Sequence, residues 1–126
     1  MLPKKALKKI LIIEDEIALV NNLALALSDD FEVISATTAD EGLRKARKEV
    51  PDLILLDIML PDHSGIDVLR QLKHHSKTDT IKVIVLTNLS EGEIVSQILA
   101  AGGKEYLIKT DWSIAEVVEK VKKALA

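Results

Sequence analysis

The chain has 126 residues, a length that predicts one compact domain spanning residues 1–126. Its 17 basic and 20 acidic residues give a net charge of −3, which excludes a broad basic field for direct nucleic-acid binding. Cysteine is absent, so disulfides and thiolate metal sites are excluded as well.

The first eight residues form a basic leader ahead of a core expected at about residues 9–125. The apolar run that follows, residues 10–13, is too short for a signal peptide and ends at Glu14 and Asp15 without a small-residue cleavage site. No stretch approaches the roughly 20 apolar residues that cross a bilayer. We therefore expect a cytoplasmic protein without a membrane partner.

Five β-type segments alternate with five helical ones along the chain. The predicted strands are residues 10–13, 32–36, 53–56, 82–86 and 105–108. The predicted helices are residues 17–28, 39–48, 65–74, 91–101 and a last helix that begins at Ser113, where Ser113 and Glu116 form a capping box. Strict alternation predicts an α/β fold, a parallel sheet with right-handed crossovers and helices on both faces.

The third strand contains four apolar residues in a row, 53–56, and then a single carboxylate, Asp57. A continuous aliphatic run is typical of a central parallel strand that is covered on both faces. Asp57 then lies at the carboxyl end of that strand, where open α/β sheets place their chemistry.

The first helix carries two apolar stripes rather than one. The first stripe consists of Leu19, Leu23, Ala26 and Leu27, and the second consists of Ile17, Val20 and Ala24. A surface helix needs only one such stripe. Two interpretations remain open: generous burial with tolerated surface aliphatics, or a docking face for a partner helix.

Polar residues follow four of the apolar strands: Glu14 and Asp15, Asp57, Thr87, and Lys109. Each has an ordinary structural explanation, as a helix N-terminal acidic residue, a strand residue or a surface lysine. In a parallel sheet, however, these ends lie on one edge. Three carboxylates there would repel one another without a cation, and hard oxygen ligands suit Mg²⁺.

These residue types would serve phosphoryl transfer, which needs alignment and charge neutralisation. With Mg²⁺ held by the three carboxylates, an oxygen of Asp57 would attack phosphorus to form an aspartyl phosphate. Lys109 would pair with one phosphoryl oxygen, and the Thr87 hydroxyl would donate to another.

The sequence resembles the receiver domain of bacterial response regulators in two-component signalling, from about residue 9 to residue 125. The motifs that carry the resemblance are Glu14–Asp15, residues 51–61 with Gly65 following, Thr87, and residues 106–109. The resemblance implies a (βα)₅ doubly wound, flavodoxin-like receiver fold with strand order 2-1-3-4-5.

The resemblance also implies the roles of the site residues. Asp57 would accept a phosphoryl group from a histidine kinase, and the Met59 main-chain carbonyl would complete the Mg²⁺ ligands that Glu14, Asp15 and Asp57 begin. Thr87 and Tyr106 would be the switch pair, re-forming the face made by helix four, strand five and helix five.

The partners that the resemblance implies are a sensor histidine kinase or histidine phosphotransfer protein, docking near helix one, and a downstream protein target. Dimerisation after phosphorylation would use the same output face. The chain would promote its own phosphotransfer and dephosphorylation without being a true enzyme. Whether it is free-standing or part of a longer regulator stays open.

Two departures from the family pattern affect the site. Thr110 follows Lys109 where the family usually has a proline after a cis bond, so we expect a trans bond and a rearranged loop about one residue longer. Asn88 stands where a small residue is usual and could narrow access to the site. Apolar Met59 and Leu89 beside the phosphoryl group predict slow self-dephosphorylation.

Other functions fit the residues less well. An aspartate-nucleophile phosphohydrolase would place a general acid at Met59, and a nucleotide- or flavin-binding domain would have a glycine-rich loop after the first strand. A non-phosphorylated pseudo-receiver, acting only as a protein-binding scaffold, is the alternative that remains. Three histidines are interpreted as surface residues rather than metal ligands: His63, His74 and His75.

Overall fold

The computed structural model describes residues 7–88 and 92–126, with Thr110 described in its backbone only. Its strands are β1 (Lys9–Ile13), β2 (Glu32–Ala36), β3 (Leu53–Asp57), β4 (Lys82–Thr87) and β5 (Glu105–Ile108). Its helices are α1 (Ile17–Leu27), α2 (Ala39–Glu49), α3 (Gly65–Lys73), α4 (Gly92–Ala100) and α5 (Ile114–Ala124). All ten predicted elements are present, with ends that agree or differ by no more than two residues; the predicted start of α4 at Glu91 lies outside the described residues.

All strands are parallel, in the order β2-β1-β3-β4-β5, which confirms the predicted fold. Within the sheet, β2 lies beside one edge of β1, and the chain then returns to place β3 beside the other edge of β1. This reversal puts the topological switch point between the carboxyl ends of β1 and β3, where α/β sheets bind their ligands.

The central strands are buried on both faces, which explains their unbroken apolar runs. Leu11 and Ile13 of β1 face a core layer with α2, α3 and α4. Ile10 and Ile12 of the same strand face a second layer with α1 and α5. The strand that ends at Asp57 is therefore fixed between two apolar layers.

Helix α1 buries one stripe, formed by Val20, Leu23 and Leu27. The predicted second stripe is wrong as a unit, because Val20 belongs to the core and Ala24 is partly buried against it. The exposed aliphatics of α1 are Ile17, at 56% exposure, and Leu25, at 77%.

The segment after β5 forms a short 3₁₀ helix over Lys109–Asp111. Every peptide bond in the described part of the chain is trans, which confirms the expectation for Lys109 and Thr110. The next helix, α5, begins with the predicted capping box, in which the Ser113 side chain accepts from the Glu116 N–H and the Glu116 side chain accepts from Ser113. Among the described helices, none has the length and apolar character that crossing a bilayer requires.

Candidate functional site

Four polar side chains reach the carboxyl edge of the sheet from four different strands. Glu14 directly follows β1, Asp57 ends β3, Thr87 ends β4 and Lys109 directly follows β5. Glu14, Asp57 and Thr87 are buried, at 1%, 4% and 1% exposure. Because buried polar groups cost free energy unless they are satisfied, their burial side by side points to a site rather than to packing.

The three predicted carboxylates come together as expected. Glu14, Asp15 and Asp57 each place an oxygen within 4.8 Å of the other two. Asp15 is exposed while Glu14 and Asp57 are buried, so the group opens to solvent on one side. A cluster of hard oxygens with an open side fits Mg²⁺, which keeps several waters when it binds to protein.

Lys109 lies against the two buried carboxylates. Its Nζ is 2.5 Å from Glu14 Oε1 and 3.3 Å from Asp57 Oδ1. One ammonium thus faces two carboxyl groups, and when both are ionised the site carries an excess of negative charge. This excess is the electrostatic condition under which a divalent cation binds.

The two buried carboxyl groups differ in their proton affinity. Burial and the neighbouring charge of Glu14 raise the pKa of Asp57 to about 7, although Lys109 and the Met59 N–H act in the opposite direction. Burial also acts to raise the pKa of Glu14, but hydrogen bonds from Lys109 and from the Glu16 N–H outweigh it and lower that pKa. Asp57 is therefore the member of the pair that holds a proton near neutral pH.

The pKa of Lys109 is raised above its usual value. Burial acts to lower this pKa, but the hydrogen bond to Glu14 and the negative charge of Asp57 outweigh that effect. Lys109 therefore stays charged through the neutral pH range.

The loop between β3 and α3 returns tightly to the end of the strand. The Gly65 N–H donates to the Ile58 carbonyl at 2.7 Å, and Met59 forms a bridge with Ser64. A Cβ on Gly65 would lie 2.7 Å from the Ile58 Cα, so only glycine fits there. The Met59 N–H acts to lower the pKa of the Asp57 carboxyl group, and the Met59 side chain is 60% exposed.

The two predicted switch residues lie on neighbouring strands. Thr87 is buried at the end of β4, where it pairs in register with Ile108. Tyr106 pairs with Val85 and is half-buried against the core layer of α2, α3 and α4. Their roles as a switch pair stay a prediction, as does the Met59 carbonyl as a ligand.

Sequence reasoning missed a contact between this loop and α2. The Asp62 carboxylate accepts hydrogen bonds from the backbone N–H groups of Ala39 and Asp40, at 2.8 and 3.1 Å. His63 Nε2 in turn lies 3.3 Å from Asp40 Oδ1. Asp62 is 23 and 22 residues from these two partners along the chain, so no local sequence motif predicts the contact.

The chain matches the response regulator receiver domain family over residues 10–122. It belongs to this family. The predicted response regulator receiver is thereby confirmed, and with it a place in two-component signalling. The site residues named above occupy the carboxyl edge of that receiver domain.

Among its relatives, the receiver is 36% identical to the phosphate regulon transcriptional regulatory protein PhoB of Rhizobium meliloti, over 94% of this chain and 52% of that protein. It is 39% identical to the KDP operon transcriptional regulatory protein KdpE of Escherichia coli, over 92% of this chain and 50% of that protein. The chain thus spans about half the length of the curated relatives it matches.

Solved receiver structures share the fold. A CheY-like response regulator receiver domain protein from Methanospirillum hungatei superposes with a TM-score of 0.86 at 35% identity, covering 95% of this chain and 94% of that one. The BeF3-activated DrrB receiver domain superposes with a TM-score of 0.84 at 28% identity, covering 94% and 97%.

Proposed function

We propose that Asp57 accepts a phosphoryl group from the phosphohistidine of a histidine kinase or histidine phosphotransfer protein. Mg²⁺ would be held by Glu14, Asp15, Asp57 and the Met59 main-chain carbonyl. The observation that carries the proposal is a buried Asp57 with two carboxylates within 4.8 Å and the Lys109 ammonium 3.3 Å away. This set supplies a nucleophile, oxygen ligands and a fixed cation in one place.

The transfer itself is a displacement at phosphorus. An oxygen of the ionised Asp57 carboxylate forms a bond to phosphorus while the bond from phosphorus to the imidazole nitrogen breaks. The bonding electrons go to the imidazole, which takes up a proton from solvent. When bound, Mg²⁺ would neutralise charge on a phosphoryl oxygen, so that the Asp57 carboxylate could approach the phosphorus atom.

Lys109 and Thr87 would hold the phosphorylated product. Lys109 already contacts Asp57, so its ammonium can pair with a phosphoryl oxygen on that residue. Thr87 ends the adjacent strand, and its hydroxyl would donate to another oxygen. Tyr106 would then turn inward beside Thr87, and the face of α4, β5 and α5 would change.

The donor protein would dock beside α1, near the switch point of the sheet. Exposed Ile17 and Leu25 on that helix support an apolar contact there. The output would be a downstream protein that binds the face of α4, β5 and α5, or a second receiver that dimerises through it. The net charge of −3 supports an output without direct nucleic-acid contact by this chain.

The chain would therefore act in the cytoplasm as a phosphorylation switch that promotes its own phosphotransfer and dephosphorylation. The decisive experiment is intact-protein mass spectrometry after incubation with acetyl phosphate and Mg²⁺. We expect one added phosphoryl group, absent in Asp57→Asn and absent when the metal is chelated. A folded wild-type protein that gains no phosphoryl group would support the pseudo-receiver scaffold instead.

The switch is tested separately with beryllofluoride, a phosphoryl mimic and the species that activates the DrrB receiver domain. Backbone amide shifts in β5 and α4 should move on addition of the mimic with Mg²⁺. In Thr87→Ala the mimic should still bind at Asp57, but the shifts in α4 and β5 should be much smaller. Equal shifts in wild type and Thr87→Ala would count against Thr87 as the residue that couples Asp57 to α4 and β5.

A further inference from the structure

We propose that Asp62 is a positioning residue that holds the Met59 peptide in place for metal binding and phosphoryl transfer. It does so through the clasp, defined here as Asp62 and His63 with Ala39 and Asp40 of α2. The inference rests on the proposed function of the site and adds to it a residue outside the carboxyl edge of the sheet.

The clasp joins the loop after Asp57 to the start of α2. Asp62 accepts from the N–H groups of Ala39 and Asp40, the first two residues of the helix, which have no partner within it. The positive end of the helix dipole favours a carboxylate there. Accordingly, the hydrogen bond from the Ala39 N–H is the largest of the effects that lower the pKa of Asp62.

Asp62 adds to the local cap of α2 and differs from it in the part of the chain that supplies it. Thr38 already caps α2 locally, because its side chain accepts from the Glu41 N–H at 3.2 Å. Asp62 instead comes from a loop 22 residues beyond Asp40, and the Asp40 carboxylate reaches back to His63. The contact is reciprocal, and it ties two segments that are otherwise separate in sequence.

The ties of this loop lie at its two ends, at Leu60, which packs against the core layer of α2, α3 and α4, and at Asp62. Near its base, Gly65 bonds to Ile58 and Met59 bridges to Ser64. Among the described residues, the hydrogen bonds and ion pairs that join the tip, residues 61–63, to other elements are those of the clasp. Losing Asp62 would therefore remove the main polar tie of the tip and loosen the segment that runs from the tip back to the Met59 peptide.

The Met59 peptide matters because it lies two residues from the reacting residue and acts on the pKa of its carboxyl group. Its N–H acts to lower the pKa of the Asp57 carboxyl group, and its carbonyl is the proposed fourth protein ligand. A peptide that is ordered before the metal arrives binds it more tightly than one that must be ordered on binding. We expect Asp62→Ala to raise the Mg²⁺ dissociation constant about fivefold, since ordering about one residue opposes binding.

The experiment is a Mg²⁺ titration of the metal-free protein followed by amide NMR shifts. The variants are Asp62→Ala, Asp62→Asn and the matched control Thr38→Ala, which weakens the cap of α2 and leaves the clasp intact. Asp62→Asn keeps one oxygen acceptor and should fall between wild type and Asp62→Ala. Hydrogen exchange of the Met59 amide without metal should be faster in Asp62→Ala than in wild type or Thr38→Ala.

Three outcomes would overturn the inference. One is an unchanged dissociation constant and Met59 exchange rate in Asp62→Ala. Another is an equal loss of affinity in Thr38→Ala, since instability of α2 would then explain both. The third is wild-type protein that binds no Mg²⁺, which would overturn the proposed site itself and can be recognised because Asp57→Asn would then titrate in the same way.

Discussion

At the scale of single residues, Lys109 offsets negative charge at the site. It is the cation that lies between two buried carboxylates, at 2.5 Å from Glu14 and 3.3 Å from Asp57. Removing one partner of a buried pair leaves an uncompensated charge, which costs more than the pair itself contributes. The fold therefore depends on Lys109 before any phosphoryl chemistry takes place.

Lys109→Met should destabilise the metal-free protein by about 3 kcal/mol at pH 8, because two buried carboxylates lose their cation. The loss should shrink at pH 5, where Asp57 carries a proton. Urea unfolding at both pH values measures it. The control is Lys120→Met, which breaks a half-exposed pair with Glu105 at 3.2 Å and should cost less than about 1 kcal/mol. Equal costs for the two variants would contradict the prediction.

Met59 should set the lifetime of the phosphorylated state. Its side chain is 60% exposed beside Asp57 and offers no hydrogen bond to an attacking water; Leu89, the other apolar residue expected there, lies outside the described residues. Met59→Asn supplies an amide that can orient water, so phosphoryl loss should be severalfold faster. Following the phosphorylated fraction over time by mass spectrometry measures the rate, with Met59→Leu as the control. An unchanged or slower rate in Met59→Asn would count against this role.

At the scale of elements, the loop from β3 into α3 depends on close backbone contact. Gly65→Ala places a Cβ 2.7 Å from the Ile58 Cα and against the Asp57 carbonyl, so backbone must shift. We expect a loss of about 2–4 kcal/mol in stability, typical of strain at a crowded site. Thermal unfolding measures it.

The matched control for this loop is Gly92→Ala at the start of α4. Among the described residues beyond its chain neighbours and its own helix backbone, no atom lies within 4 Å of a Cβ added there, and alanine is the better helix former. This variant should be neutral or more stable by up to about 1 kcal/mol. If Gly65→Ala is tolerated as well as Gly92→Ala, the tight return of the loop is not a requirement of the fold.

The elements themselves were predictable because burial leaves a signature in sequence. The unbroken run 53–56 marks a strand covered on both faces, and polar residues at strand ends mark the edge where Glu14 and Lys109 meet. The rotation of α1 was not predictable, because apolar residues surround that helix and only packing selects Val20 over Ile17. The clasp at Asp62 was missed because its partners are backbone N–H groups of a distant helix.

At the scale of the whole molecule, the fold brings together carboxylates whose mutual repulsion lowers the stability of the folded state. Two apolar layers position β1 and β3 rigidly, and the buried ends of these strands bring Glu14 and Asp57 together. A repulsive site of this kind is stabilised by whatever neutralises it. In the metal-free protein the neutralising species is a proton, and with Mg²⁺ present it is the metal.

Stability should therefore depend on pH and metal together. The pKa of Asp57 is raised from 3.8 to about 7, so the folded state binds the proton more tightly than the unfolded chain. The stability that this proton contributes is complete below pH 3.8 and is lost as the pH rises through about 7. Between pH 5 and 8 in the presence of a chelator, the free energy of unfolding should fall in wild type and stay nearly level in Asp57→Asn. The lowered pKa of Glu14 and the raised pKa of Lys109 act outside this window.

Adding Mg²⁺ should reverse this loss where the proton is absent. At pH 8 a concentration ten times the dissociation constant should add about 1.4 kcal/mol to the free energy of unfolding. At pH 5 the gain should be smaller, because Mg²⁺ must first displace the proton from Asp57. Urea unfolding at the two pH values, with and without Mg²⁺, measures the difference. A gain in stability that is equal at both pH values, or equal in Asp57→Asn and wild type, would mean that the metal binds away from Asp57. Competition between Mg²⁺ and the Asp57 proton is the reason that the gain should depend on pH.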